Sequence, residues 1–546
     1  MTESGEYRVF GPPGTGKTHY LTRQIAKAAE SVPPQRIAVV SFTRTAAEEI
    51  ASRVEDNDRV DVGTLHSFCY QALGAKEIAD TPKWLKKWNQ SVVGQPRWKL
   101  TESGSGGEMR SSGDLNMELQ QTFYLRAKMV PQDRWKEGQQ EAHKVWTAWK
   151  EENNLKDFTE LIEECIAEVP SMPGDPDIGF FDEVQDFSAL EMKLVRKWGA
   201  EMRQIVIAGD DDQSIYSFKG ASPQAMLEPE VSDDRKLFLR HSYRLPSVIK
   251  DYAERWISEV VDREIKEYEP HEVGGIVEQC YPLSFNEPGH MMREVMDEVS
   301  FGRSVMVLGT CRYMIDPLCK YLAQRGTMFH NPYRRSDKGW NPLDPNKGAA
   351  KRVLSFLRPH GGTWENPSLW TWSELHDWTE ALDTKLFKFS RGVKTEIKKK
   401  AKCEATSEVV LTQGELLTIL NKKDVAGVEA FLSKIEAGDI GWFEQTISHK
   451  HDTSSMRMAL AVVHRQKHGM ALRREPQITV GTIHSVKGGQ CDTVFVFPDL
   501  SRLGYNQMAA DPDSITRLFY VALTRARQKV VLCGPESKHS IDWIRP

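Results

Sequence analysis

The chain has 546 residues, more than one hydrophobic core holds, and a prior of roughly 150 residues per domain gives about three or four folding units. Hydrophobic residues make up 40% and charged residues 27%, which excludes a wholly disordered or collagen-like chain. Lys and Arg total 72 against 77 Asp and Glu, a net charge of −5, so a uniformly basic nucleic-acid binder is excluded while a local basic groove is not.

No run reaches the roughly 18 consecutive apolar residues of a membrane span, and the N-terminal MTESGEYRVF lacks the basic and apolar regions of a signal peptide, so no membrane partner is expected. Cysteines stand at 69, 165, 280, 311, 319, 403, 491 and 533 with no CxxC pair. Neither a metal cluster nor a disulfide framework is expected, and an intracellular, reducing, cytoplasmic setting fits, nucleoid-associated if the source is bacterial.

In chain order, Tyr7–Phe10 is a short apolar run that reads as a buried strand. It leads into Gly11, Pro12, Pro13, Gly14, Thr15, Gly16, Lys17 and Thr18, which spell GPPGTGKT and fit GxxxxGK[ST]. In such a loop backbone N–H groups turn inward around phosphates and the following helix adds its positive end. Lys17 would reach the β- and γ-phosphates of ATP, and the Thr18 hydroxyl would ligate Mg²⁺. The pattern arises by chance in about 2% of chains this long, and a plain Gly-rich turn is the alternative.

A second strand signal covers Arg36–Phe42, and Val62–Ser67 (VGTLHS) follows. Residues 75–172 read as helical and Trp-rich, with a Gly/Ser segment at 101–114 that reads as a mobile loop. Within them Lys83–Lys99 interleaves Trp with basic residues: either a duplex or fork contact, or a helix burying Trp and solvating Lys. The strand signal Ile178–Phe181 delivers Asp182, suited to hold Mg²⁺, and Glu183, placed to polarise an attacking water. The strand signal Gln204–Ala208 runs into GDDDQSIYSFKGA (209–221), where Gln213 has an amide for a γ-phosphate and the lytic water. Tyr216 and Phe218 there offer flat faces to bases, or tuck back into the core.

Further strand signals fall at Ser304–Leu308, Gln477–Val480, Thr493–Phe497 and Lys529–Leu532. Residues 358–472, helix-like with the basic run Lys394–Lys402, lie between them. Short apolar strands alternating with helices predict α/β layers with mostly parallel sheets. One internal echo joins the halves: VGTLHS at 62–67 returns as VGTIHS at 480–485, which suggests two related domains using one turn twice.

The ordered strings VSFTRTAAEEI (40–50), VGTLHSF (62–68), FFDEVQD (180–186), GDDDQSIYSFKGA (209–221), LRHSYR (239–244), VGTIHSVKGGQ (480–490) and LFYVALTRARQKVVL (518–532) resemble the motif series of superfamily 1 DNA helicases of the UvrD/Rep/PcrA type. The resemblance runs across nearly the whole chain. It implies an α/β fold of two RecA-like P-loop parallel-sheet domains, each with a mainly helical inserted subdomain. On this chain the first domain is expected at 1–74 and 173–238 with an insertion at 75–172, and the second at 239–357 and 473–546 with a reduced insertion at 358–472.

By the same resemblance Arg244 and Arg525 are arginine fingers, Tyr243 stacks on adenine and Gln490 contacts the ribose, where relatives usually carry Glu. Phe42, Thr43 and Arg44, then Thr64, His66 and Ser67, Tyr216 and Phe218, and Thr482, His484 and Ser485 are expected to hold single-stranded DNA. For His66 and His484 a buried, hydrogen-bonding histidine is the competing reading, and for Arg527 a solvated surface residue. The implied activity is an ATP- and Mg²⁺-dependent DNA helicase moving 3′→5′ on single strands and acting at single-strand/duplex junctions. A translocase that strips proteins without processive unwinding, and a nucleotide-controlled DNA-binding module, are the alternatives. With ten residues before the P-loop glycine, no upstream adenine-reading Gln motif is expected, which puts strict ATP preference in question, and Phe218-Lys219 stands where relatives usually carry Trp-Arg. With about a dozen residues after the last strand signal, no nuclease domain or partner-binding tail is expected.

Overall fold

A computed structural model describes residues 5–42, 44–53, 60–74, 77–100, 118–281, 283–332, 343–357, 370–383, 392–411, 415, 440–467 and 469–545. Thr43, the side chain of Arg44, the Gly/Ser segment 101–114 and much of 358–472 lie outside the described residues.

The first strands are β1 (Gly5–Phe10), β2 (Ile37–Ser41), β3 (Asp61–Gly63), β4 (Glu77–Ile78), β5 (Leu155–Lys156), β6 (Ile178–Asp182), β7 (Gln204–Gly209) and β8 (Lys236–Phe238). Six of them form a parallel sheet in the order β3-β2-β6-β7-β1-β8. The apolar runs alternate in side-chain direction, so each strand feeds two cores. Val9, Val39, Phe180 and Val206 meet Leu21 and Ile25 of the helix Lys17–Ala29 on one face. Phe10, Val40, Phe181 and Ile207 meet Leu65, Phe68, Val195 and Trp198 on the other. Register then fixes the functional edge. Ser41 lies opposite Asp182 and Phe10 opposite Gly209, so the segments after β1, β2, β6 and β7 leave the sheet at its carboxyl end, where ligands of open α/β sheets bind.

The Trp-rich stretch folds as helices Pro82–Ser91, Glu118–Ala127, Glu137–Glu152 and Phe158–Glu168, with β4 paired to β5. Trp84, Trp88 and Trp98 are buried, Trp88 against Trp146 at 4.9 Å, while Lys83, Lys86 and Lys87 are exposed. Lys83–Lys99 is thus a helix and turn that bury Trp and solvate Lys.

Of the later strands β9 (Ile276–Cys280), β10 (Val305–Gly309), β11 (Ile478–Thr482), β12 (Cys491–Val496) and β13 (Ala526–Cys533), β13 pairs in parallel with β12 on one side and β9 on the other. The chain divides into two units: Met1–Pro282 with Leu308–Cys311 and Thr482–Pro546, and Leu283–Val307 with Arg312–Gly481. The first holds the P-loop together with all the other motif strings except the opening Val480-Gly481 of the later VGTIHS copy. The second is mainly helical, with Phe356 stacked on Phe443 at 4.5 Å and Trp370 packed on Trp378 at 5.0 Å. Its helix Val393–Ala401 buries Val393 and Ile397 and exposes Lys398 and Lys399. Among the described residues no helix is long and apolar enough to cross a membrane. Among the described residues none of the eight cysteines forms a disulfide.

Candidate nucleotide and nucleic-acid site

β1 ends at Phe10, and Gly11 N–H donates to Gly209 O at 2.9 Å, tying the loop to the neighbouring strand end. Gly14 and Gly16 take φ of 77° and 74°, the left-handed region that only glycine enters cheaply. Thr15 Oγ1 donates to Pro12 O at 2.8 Å and closes the turn. The helix Lys17–Ala29 begins at Gly16 with no side-chain cap and no acidic residue in its first turn. Its N-terminal donors therefore face the loop uncompensated, which suits an anion.

The segment Ser242–Arg244 packs directly on this loop. Ser242 Oγ donates to Pro13 O at 2.8 Å, and Tyr243 N–H donates to Gly14 O at 2.8 Å. A Cβ on Gly14 would lie 2.4 Å from Arg244 Cβ, so the close approach requires glycine there. Tyr243 keeps 67% of its surface exposed, beside Gly16, with His241 edge-on to its ring at 4.8 Å.

Asp182 ends β6 and is buried; Glu183 follows in left-handed backbone, φ 57° and ψ 36°, its N–H bonded to Asp182 Oδ1 at 2.9 Å. A non-glycine residue held there is strained by roughly 1–2 kcal/mol, which aims its carboxylate back at the P-loop. Glu183 Oε1 meets Lys17 Nζ at 2.7 Å. Burial raises the Glu183 carboxyl, but Lys17 and then Lys487 outweigh it and hold it at about 2. Burial likewise opposes the Lys17 charge, and Glu183, Asp182 and Asp210 outweigh that, holding the ammonium above its usual value.

Gln213 is fixed at both ends of its amide. Nε2 donates to Asp210 Oδ2 at 2.6 Å, and Oε1 accepts from Arg525 Nη2 at 2.8 Å. Arg525 is 2% exposed and also donates to Val521 O at 2.9 Å and Gly489 O at 3.3 Å. Arg244 Nε donates to Gln490 Oε1 at 2.9 Å and its Nη1 to Thr524 O at 3.2 Å. Burial presses Arg244 down to about 10; burial and the neighbouring Arg244 press Arg525 down to about 9. Both stay charged at neutral pH, so two guanidiniums are held in one low-dielectric site. Arg527 instead sits at the surface, paired to Asp492 at 2.8 Å.

A second cluster is aromatic. Phe42 stacks on Tyr216 at 5.4 Å, Tyr216 lies 6.0 Å from Phe218, and Phe218 meets His484 edge-on at 5.5 Å. Tyr216 is 6% exposed and packed inside the cluster, whereas Phe42 and Phe218 are half-buried at its margin. His484 Nε2 lies 3.2 Å from Ile215 O, and burial lowers its pKa to about 4, so the ring is neutral.

The sequence echo is also a structural one. Ser67 N–H donates to Thr64 Oγ1 at 3.3 Å and its hydroxyl to Thr64 O at 2.6 Å; Ser485 repeats this on Thr482 at 3.3 and 2.8 Å. The histidines differ. His66 is half-exposed, edge-on to Phe158 at 5.2 Å and 3.9 Å from Glu191, with burial lowering its pKa.

The UvrD/REP helicase N-terminal domain model matches residues 2–232 and the UvrD-like helicase C-terminal domain model residues 477–533, together just over half of the chain. The chain belongs to the UvrD/Rep helicase family. YjcD of Bacillus subtilis is 25% identical over 278 residues, covering 45% of this chain and 35% of the relative. Two relatives named ATP-dependent DNA helicases are PcrA of Staphylococcus epidermidis, 24% identical over 336 residues (55% of this chain, 45% of the relative), and srs2 of Schizosaccharomyces pombe, 24% over 300 residues (46% and 33%). The chain spans less than half the length of these curated relatives.

Within this family framework two groups carry weight that motif reading did not assign. Lys487, in the VGTIHSVKGGQ string, is ion-paired to Asp186, donates to Gln213 O at 2.8 Å and lies 4.0 Å from Glu183. Its ammonium is also 5.4 Å from the Tyr216 ring centre. Arg263 and Lys266 lie outside all the strings and hold the three buried aspartates of GDDDQ. A signal for them existed: three consecutive acids at the end of a buried strand require cations, though not which ones.

Proposed function

We propose that this chain hydrolyses ATP with Mg²⁺ and couples the reaction to 3′→5′ movement along single-stranded DNA, unwinding duplex at junctions. The observation that carries the reading is the contact between Gln213 and Arg525, 2.8 Å apart and 312 residues apart in sequence, beside the Lys17–Glu183 pair. A passive nucleotide binder has no use for that set.

The donor set fits the nucleotide and its metal. Mg²⁺ at such a site is held by one or two protein oxygens together with phosphates. Thr18 and Asp182 would hold Mg²⁺, which when bound neutralises charge on the β- and γ-phosphates. The P-loop amides and Lys17 would bind the phosphates. As Lys17 turns to them, Glu183 is released as an ionised carboxylate able to accept a water proton. Gln213 would orient that water, while Arg244 and Arg525 stabilise charge growing on the γ-phosphoryl oxygens. Tyr243 and Gln490 would contact the adenosine.

On the DNA side, Phe42 and Phe218 would stack on bases at the edge of a cluster backed by Tyr216 and His484. The paired turns at Thr64–Ser67 and Thr482–Ser485, with Thr43, Arg44 and His66, would bind phosphates. The subdomain limits 1–74 with 173–238, 75–172, 239–357 with 473–546, and 358–472 belong to the same proposal. Duplexes with 3′ and with 5′ single-stranded tails test it: ATP-dependent unwinding of the 3′-tailed form alone supports the reading. Unwinding of the 5′-tailed form alone, or of neither, overturns its polarity or its helicase half respectively.

A further inference from the structure

The loop after β7 buries three consecutive carboxylates, Asp210, Asp211 and Asp212, each 0% exposed. One ammonium spans them. Lys266 Nζ, on a residue 6% exposed, lies 3.3 Å from Asp210 Oδ1, 2.6 Å from Asp211 Oδ1 and 2.9 Å from Asp212 Oδ2. Arg263 closes the group with a two-pronged contact on Asp212, 2.8 and 2.6 Å, and Glu264 N–H donates to Asp211 Oδ2 at 2.9 Å. From the other side Arg517 Nε donates to Asp211 O at 3.0 Å.

Four buried charges with a partly exposed arginine at their margin are a poor way to stabilise a fold. Removing each from water costs several kcal/mol, and apolar replacements of such networks are often neutral or stabilising. What an ion network supplies that apolar packing does not is direction. Here the direction has a recipient: Asp210 turns its Oδ1 to Lys266 and its Oδ2 to the Gln213 amide, whose oxygen accepts from Arg525. Asp210 N–H also donates to Gln185 Oε1 at 3.0 Å, so that carboxylate is held from both backbone and side chain.

We propose that Lys266 is a positioning residue for hydrolysis: acting through Asp210, it sets the Gln213 amide so that its carbonyl meets Arg525 and its second N–H and second oxygen lone pair are aimed at the attacking water. This rests on the reading of Gln213 and Arg525 given above. Lys266 touches no reacting atom.

A double-mutant cycle on the full chain tests this, with turnover and KM for ATP measured in saturating single-stranded DNA. Lys266→Met should lower kcat by about tenfold or more with KM for ATP within about threefold, and Lys266→Arg should restore most of the loss. Added to Gln213→Ala, it should cost less than about a further twofold, because its effect passes through the amide already removed. Asp210→Asn, nearly isosteric, supplies the same cycle where Lys266→Met does not fold. A Gln213→Ala chain with unchanged kcat overturns the reading of Gln213 on which the proposal rests. A Gln213→Ala chain that loses turnover, with the second substitution multiplying that loss in full, overturns the proposal itself, since a merely structural role is additive.

Discussion

Replacing Glu183 by Gln should separate binding from turnover. The side chain keeps its shape, but the ion pair to Lys17 at 2.7 Å loses its charge. The site holds the Glu183 carboxyl at about 2 against an ordinary 4.5, which corresponds to about 3 kcal/mol favouring the charged form. Most of that attraction comes from Lys17 and Lys487, and a polyphosphate must compete with it for Lys17. Glu183→Gln removes the competitor, so ATP affinity should hold or tighten, by up to about tenfold if under half of that energy is recovered. Turnover should meanwhile fall about 10²- to 10⁴-fold, the usual contribution of a positioned base. Titration with a fluorescent ATP analogue gives the first quantity, and phosphate release in saturating single-stranded DNA the second. An unchanged rate would remove Glu183 from catalysis. Affinity weakened in step with turnover would refute the competition argument.

Arg525→Ala should reduce turnover by about 10³-fold while changing nucleotide affinity by less than about tenfold; the reverse pattern in the same assays would exclude a finger role. Gly14→Ala places a Cβ 2.4 Å from Arg244 Cβ and 2.7 Å from Ser242 Oγ at φ 77°. The strain of about 1–2 kcal/mol and overpacking of about 1–3 kcal/mol should lift the 242–244 segment off the loop, raising KM for ATP, whereas wild-type kinetics would contradict the packing. His484 has a folded-state pKa near 4 against an ordinary 6.5, lowered by burial. Its contribution to stability is full above pH 6.5 and is lost as pH falls from 6.5 towards 4, up to roughly 3 kcal/mol and less where solvent reaches the ring. His484→Gln should flatten the dependence of unfolding midpoint on pH across that window, and an unaltered slope would show that the ring is not buried neutral.

Much of the fold was legible because its strands are strongly apolar. All eight predicted strands are present, since Val39-Val40, Phe180-Phe181 and Ile205-Val206-Ile207 are buried on both faces of their sheet. The strands not anticipated are short or exposed. β3 and β8 have three residues each, and β9 (IVEQC) sits at a sheet edge with no apolar run to announce it. The candidate site was legible where one motif string carries both partners, as in Asp182 and Glu183. It was not legible where partners come from distant segments. Gln490 bonded to Arg244, Lys487 paired to Asp186 and Lys266 spanning Asp210–Asp212 are products of tertiary packing with no local signature. Tyr216 illustrates the same limit: its place in the sequence suits base stacking, but the fold packs it beneath Phe42 and beside His484.

The central proposal is that this chain couples ATP hydrolysis to movement along single-stranded DNA. Steady-state ATPase rates with and without single-stranded DNA test it most directly. A rise of about tenfold or more on adding DNA, abolished in Glu183→Gln, is the predicted result. A rate indifferent to DNA would contradict the account.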